Sequence, residues 1–162
     1  MGWWPRLPHN PRVNWFLLLK TLHVLSAIIG VGANATYGLW SARAHAETAH
    51  LGFALRSIKF IDDRMANPAY GVLLVTGLIM AFTTYAINRT WILTGLAIYI
   101  VVAVSAAAVY SPSLKRQISA LETEGAESAA YRSAEARARG VGIFMSVLLV
   151  AVVFVMVFKP QV

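Results

Sequence analysis

Residues 15–40 read WFLLLKTLHVLSAIIGVGANATYGLW. This run holds one lysine, one histidine and no carboxylate. Roughly 20 predominantly apolar residues suffice to cross the ~30 Å hydrocarbon core of a bilayer as a helix. The stretch is therefore long enough to span, and Lys20 and His23 lie inside it, one helical turn apart. Ionisable groups within a span are costly, turn toward a bundle interior, and mark a functional site by default.

Three further segments have the same character: 66–87, 91–110 and 141–158. The second and third are separated only by Asn88-Arg89-Thr90, which predicts a tight antiparallel hairpin. Pro112 is expected to stop the third helix just past its end, because proline lacks the N–H a helix interior needs. Trp15, Trp40, Tyr85, Trp91 and Tyr110 fall near span ends, where amphipathic aromatic rings collect. The expected fold is an all-α membrane protein, a four-transmembrane-helix bundle forming one domain over residues 1–162.

Composition agrees. Hydrophobic residues make up 58% of the 162 and charged residues 13%, with mean hydropathy +0.62; soluble domains run about 45–50% apolar and about 25% charged. The absence of cysteine excludes disulfides, iron–sulfur clusters, thiolate zinc sites and cysteine nucleophiles. A net charge of +7 would suit nucleic acid, but the basic residues flank apolar spans, so no nucleic-acid partner is expected and membrane lipid is. The first apolar run begins only after Trp3, Trp4 and three prolines and exceeds a signal-peptide core, so no cleavable leader is expected.

Two polar connections remain. In 41–65, Leu51, Leu55, Ile58 and Ile61 recur near helical spacing among charges, which predicts an amphipathic interfacial helix or an extension of the first helix. Residues 111–140 are rich in Ala and Glu, with breaks expected at Gly125 and Gly140. With four spans, both connections share one side. That side carries nine basic residues (Arg43, Arg56, Lys59, Arg64, Lys115, Arg116, Arg132, Arg137 and Arg139); the other carries Arg6, Arg12, Arg89 and Lys159, with Lys20 just inside the bilayer. The positive-inside rule puts the connections in the cytoplasm and both termini outside. No repeat or inverted symmetry of a carrier is visible.

Helical steps of three or four from Lys20 reach His23, Ala27, Gly30, Asn34, Tyr37 and Ser41. The polar and small residues of this span thus share one stripe, which should face the bundle. Gly30 is expected to leave a gap beside His23 for the edge of a flat ligand. The plain alternative is helix-packing glue, with His23 bonded to a neighbouring carbonyl or hydroxyl. By depth, Met80 and Tyr99 are expected in the same layer as His23. Imidazole and thioether both serve as haem ligands, and four-helix bundles hold cofactors between facing side chains, although methionine more often fills core. His45 and His50 lie five residues apart, a poor spacing for one metal, and read with His9 as surface groups. Asp62 and Asp63 are expected to pair with Lys59 or Arg64 at the membrane surface. No catalytic triad, phosphate loop or dinucleotide fingerprint is present.

The segments Lys20-Thr21-Leu22-His23-Val24-Leu25, Arg43-Ala44-His45-Ala46-Glu47, Phe60-Ile61-Asp62-Asp63-Arg64-Met65-Ala66-Asn67-Pro68-Ala69 and Gly77-Leu78 resemble the four-helix membrane protoporphyrinogen oxidases of the HemJ type. Residues 15–117, with Pro68 to Ala81 and Trp91-Ile92, are similar to an uncharacterised family of bacterial integral membrane proteins in the same broad group, which also includes copper-resistance membrane domains. The resemblance implies haem b bound by His23, and a bacterial cytoplasmic (inner) membrane location. The oxidases carry an important lysine early in the third helix. Here that stretch is Trp91-Ile92-Leu93-Thr94-Gly95-Leu96, with no ionisable group, a departure that weighs against the oxidase activity and leaves haem binding by His23 in place.

Three functions are compatible with these residues. The first is a haem-b-binding membrane protein in electron transfer or porphyrin chemistry, with His23 as axial ligand, Met80 or Tyr99 lining the other face, Lys20 pairing with a propionate, and Gly30, Asn34 and Tyr37 completing the stripe. The second is a non-catalytic accessory subunit of a larger respiratory, photosynthetic or transport complex, or a homo-oligomer. The third is a transporter of a small solute or metal; the scattered methionines form no relay.

Overall fold

The computed structural model describes residues 14–160; His9, Arg6 and Arg12 lie outside them. Four long helices make up the chain: α1 (Trp15–Ala46), α2 (Thr48–Thr83), α3 (Thr90–Thr123) and α4 (Ala129–Phe158). No strand occurs among the described residues. Each helix is long and apolar enough to cross a membrane. Asn14 caps α1 by accepting the Leu17 N–H, and Ser128 caps α4 by accepting the Tyr131 N–H. These are ordinary N-caps, satisfying donors that the first turn leaves free.

The helices overshoot a bilayer. At 1.5 Å per residue they run from about 45 to about 54 Å, against a hydrocarbon core of ~30 Å. The excess lies at one end, and it changes the expected picture of the polar connections. Residues 41–46 extend the first helix, one of the two expected arrangements; after a one-residue turn at Glu47 the rest of 41–65 opens α2 and is continuous with the second span rather than a separate interfacial helix. Leu51, Leu55 and Ile58 turn into the bundle, with Leu55 and Ile58 each 1% exposed. Residues 111–140 likewise belong to α3 and α4, joined by a turn in which Gly125 takes φ +86. That break falls where expected, because a positive φ suits glycine. Gly140 does not break α4, which runs through it.

Pro112 does not end α3 either. A wide π-helical turn, Ala106–Tyr110, precedes it, and a second one, Asp62–Ala66, precedes Pro68 in α2. In each, an N–H reaches back five residues, Ser111 to the Ala106 carbonyl and Asn67 to the Asp62 carbonyl. A proline ring normally collides with the carbonyl four residues earlier. Widening the preceding turn by one residue moves that carbonyl aside, and the helix continues.

The two ends of the bundle are held differently. At the polar end, Leu51, Leu55, Ile58, Leu114, Tyr131 and Ala138 join one core with Tyr37, Tyr110 and Met145. Within the spans, α1 packs along α2 and α3 along α4, and large side chains such as Val75, Ile100, Val147 and Phe154 face outward. Lipid is as apolar as these side chains, so close backbone approach and hydrogen bonds hold the spans together. At the far end Tyr85 packs edge-on against Phe16 and Trp91, and the Lys159 ammonium lies 5.4 and 5.3 Å from the Tyr85 and Trp91 ring centres. This is an aromatic and cationic rim of the kind found at a membrane surface.

The polar-end core is conventional hydrophobic packing in water. Leu55→Ala is expected to cost about 2–5 kcal/mol, read as a lowered thermal midpoint in detergent. Phe60→Ala, at an exposed position, should cost much less; equal losses would show that the polar end lacks this core.

Candidate functional site

The polar stripe of α1 faces α2, and its members find partners there in order. His23 Nδ1 lies 3.0 Å from the Leu73 carbonyl oxygen and 3.1 Å from Thr76 Oγ1. Asn34 Nδ2 donates to the Tyr70 hydroxyl at 3.1 Å. Tyr37 donates to Asp62 Oδ1 at 3.4 Å. Successive turns of an α-helix place residues three and four apart on one face, so one stripe can meet one partner helix along its length.

The geometry fixes the tautomer of His23. A carbonyl only accepts, so Nδ1 carries the hydrogen. The Thr76 hydroxyl donates to the Val72 carbonyl at 2.7 Å and has a lone pair left for the same Nδ1–H. In the neutral imidazole Nε2 then carries an unprotonated lone pair. Nε2 has no hydrogen-bond partner among the described residues, and no buried side-chain nitrogen or oxygen there lacks one; Nε2 is therefore not fully enclosed. Gly77 lets the ring approach α2 closely: an added Cβ there would come 3.0 Å from His23 Cε1.

Other expected members of the site are placed differently. Gly30 leaves no gap beside His23, because the Tyr70 ring occupies the space: a Cβ at Gly30 would meet Tyr70 Cε1 at 2.8 Å. The Tyr99 hydroxyl donates to the Tyr70 carbonyl at 3.2 Å, one turn to the polar side of Leu73. Met80 is buried one turn beyond Thr76, toward the other end. Along α2 the Tyr99 contact thus lies about one turn to one side of the His23 contacts, and Met80 about one turn to the other. Lys20 is exposed one turn from His23. His45 Nε2 meets Glu135 at 2.6 Å and His50 Nδ1 meets Glu47 at 3.6 Å, both at the polar end.

A second cluster was not evident from the sequence. Asp63 pairs with Lys59 as expected, but its neighbour Asp62 turns inward and is only 7% exposed. Tyr37, its hydrogen-bond donor, stacks on Tyr110 with ring centres 6.3 Å apart and planes at 7°. Asp62 opens the π-helical turn of α2, and Tyr110 closes that of α3. Both wide turns thus meet at one carboxylate and two phenols, where the apolar spans give way to the polar end. Such turns recur at functional sites. The Asn67-Pro68 step was the one available signal, since it forces the irregular turn that swings Asp62 inward.

A family model described as "Predicted integral membrane protein (DUF2269)" matches residues 17–160. The chain belongs to this family. The match takes in all four helices and both polar clusters of this DUF2269 protein. No curated protein and no solved structure matches the chain. Among the described residues of this family member, no group of three or more His, Asp or Glu side chains could hold a metal ion.

Gly30 and Gly32 make a paired test. An Ala at 30 runs into the Tyr70 ring, whereas nothing lies within 4 Å of a Cβ at 32. Gly30→Ala should cost about 1–3 kcal/mol by overpacking, and Gly32→Ala should be neutral or stabilise by up to about 1 kcal/mol through helix propensity. Thermal unfolding in detergent reads the order; a reversed order would remove Tyr70 from the α1 face.

Proposed function

We propose that this integral membrane protein binds haem b, with His23 Nε2 as an axial ligand, in an electron-transfer or porphyrin-related role. One observation carries the reading. His23 Nδ1–H is held by the Leu73 carbonyl and the Thr76 hydroxyl, while Nε2 has no partner among the described residues and is not fully enclosed. Metal-ligating histidines almost always donate their second ring nitrogen to a carbonyl, carboxylate or water, which fixes the ring and raises its basicity.

The donor set suits haem better than a bare ion. Haem brings four equatorial nitrogens of its own, so one imidazole suffices, and the described residues hold no metal-binding cluster. When bound, the group would supply a one-electron couple tuned by its axial ligand and surroundings. Gly77 lets the imidazole lie against α2, Leu73 and Thr76 orient it, and Lys20 is one turn away to pair with a propionate. Tyr99 is engaged with Tyr70 and Met80 sits a turn off, so the opposite face is left to a second copy of the chain or a larger membrane complex. The likeness to the oxidases rests on the sequence motifs alone, and no oxidase activity is assigned.

The test is a visible absorption spectrum of the detergent-purified full chain after haem reconstitution. Wild type should show a Soret band that His23→Ala abolishes. Thr76→Val should keep the band but shift it, because one acceptor to Nδ1–H is gone. A band unchanged in His23→Ala, or no band in wild type, overturns the reading and leaves His23 a packing residue in a non-catalytic accessory module.

The same reading puts the protein in a bacterial inner membrane with the basic polar end in the cytoplasm and both chain ends outside. A periplasm-dependent alkaline phosphatase fused after residue 160 should be active, and a cytoplasm-dependent fluorescent protein there dark. The opposite pattern would invert the orientation.

A further inference from the structure

The ion pairs of the polar end leave five basic residues over among the described residues: Arg64, Lys115, Arg116, Arg137 and Arg139. Arg43, Arg56, Lys59 and Arg132 each have an acidic partner, respectively Glu47, Glu122, Asp63 and Glu127. Arg116 and Arg137 have none within 4 Å among the described residues. They come from different helices, α3 and α4, yet line the same groove of about 410 Å³ between those helices. Its floor includes Ala120 and Ala134, whose small side chains open the space. Ser113, Ser119 and Ser133 also line it, and their hydroxyls have no hydrogen-bond partner among the described residues. Glu124 lies at the distal end without pairing to either arginine.

We propose that Arg116 and Arg137 form a phosphate-binding site. Two arginines lining one groove from different helices can each present a fork of N–H donors to phosphate oxygens, and the serine hydroxyls add neutral donors. The depth is informative. Arg137 lies four residues before Val141, where the apolar run of α4 begins, and Arg116 six residues after Tyr110. At 1.5 Å per residue both are about 6–9 Å beyond the apolar spans, the level of lipid headgroups. The phosphate can therefore belong to an anionic phospholipid or to a free phosphate species from the aqueous side. Glu124, at the distal end, opposes a second negative charge there and favours ligands with one anionic group.

The site is independent of the His23 reading and is tested on the full chain in neutral detergent. Thermal midpoints are recorded with short-chain phosphatidylglycerol, with short-chain phosphatidylcholine and with inorganic phosphate, against sodium chloride at matched ionic strength. Phosphatidylglycerol or inorganic phosphate should raise the midpoint saturably; whichever does so identifies the source. Arg116→Gln and Arg137→Gln should each weaken apparent affinity roughly tenfold, as expected for losing charge-assisted hydrogen bonds. Arg116→Lys, which keeps the charge but loses the fork, should fall between. Lys115→Gln, an exposed neighbour outside the groove, makes the same charge change and should have little effect. Ligand-free midpoints should be unchanged, because all three side chains are exposed. Equal losses in Lys115→Gln and Arg116→Gln would overturn the site in favour of diffuse attraction, as would a wild-type response to neither phosphate ligand.

Discussion

The length of the helices is the constraint on which the rest of this structure depends. Four helices of 30 to 36 residues cannot be contained by a hydrocarbon layer that about 20 residues cross. One end must stand in water, and there the hydrophobic effect operates as it does in any soluble bundle. Leu51, Leu55, Ile58 and Leu114 pack at that end and fix the rotation and register of the four helices. The spans inherit that register. They have little apolar driving force of their own, so the polar contacts from α1 to α2 act as locators within a geometry set elsewhere.

The two wide turns lie at the junction between these regimes. Pro68 and Pro112 occupy equivalent places after Asp62–Ala66 and Ala106–Tyr110. Each turn rotates the helical segment before it relative to the segment after it. As a result Asp62 enters the bundle while Asp63 stays outside with Lys59. Tyr37 then joins the carboxylate of one turn to the ring of Tyr110 in the other. A buried hydrogen-bonded carboxylate at this level is costly to form without its partners, which makes the junction sensitive to the angle between the two ends.

The membrane class of the chain was legible in residues 15–40 and in three further apolar runs, as was the turn at Gly125. The inward direction of the α1 stripe was legible too, because His23, Gly30, Asn34 and Tyr37 repeat at helical spacing. Less could be read of what those residues meet. The Gly30 gap is filled by Tyr70, a residue of another helix that spacing along α1 does not identify. Pro112 looked like a stop, because the cost of a mid-helix proline is local and its remedy, a π-helical turn, leaves no mark in composition. The amphipathic pattern of 41–65 was real, but an apolar face suits a lipid surface and a neighbouring helix equally well.

The sequence by itself determined what each segment must do with its surroundings. Apolar runs of span length must leave water, charged ends must stay in it, and a polar stripe within a span must find partners, since transfer free energies are additive along the chain. Only the tertiary structure decided which partners. It turned His23 Nδ1 to Leu73 and Thr76 and left Nε2 without a partner among the described residues, drew Asp62 rather than Asp63 inward, and brought Arg116 and Arg137 to one groove. Those outcomes depend on helix rotation and on antiparallel register, which are set by simultaneous packing of residues far apart in sequence.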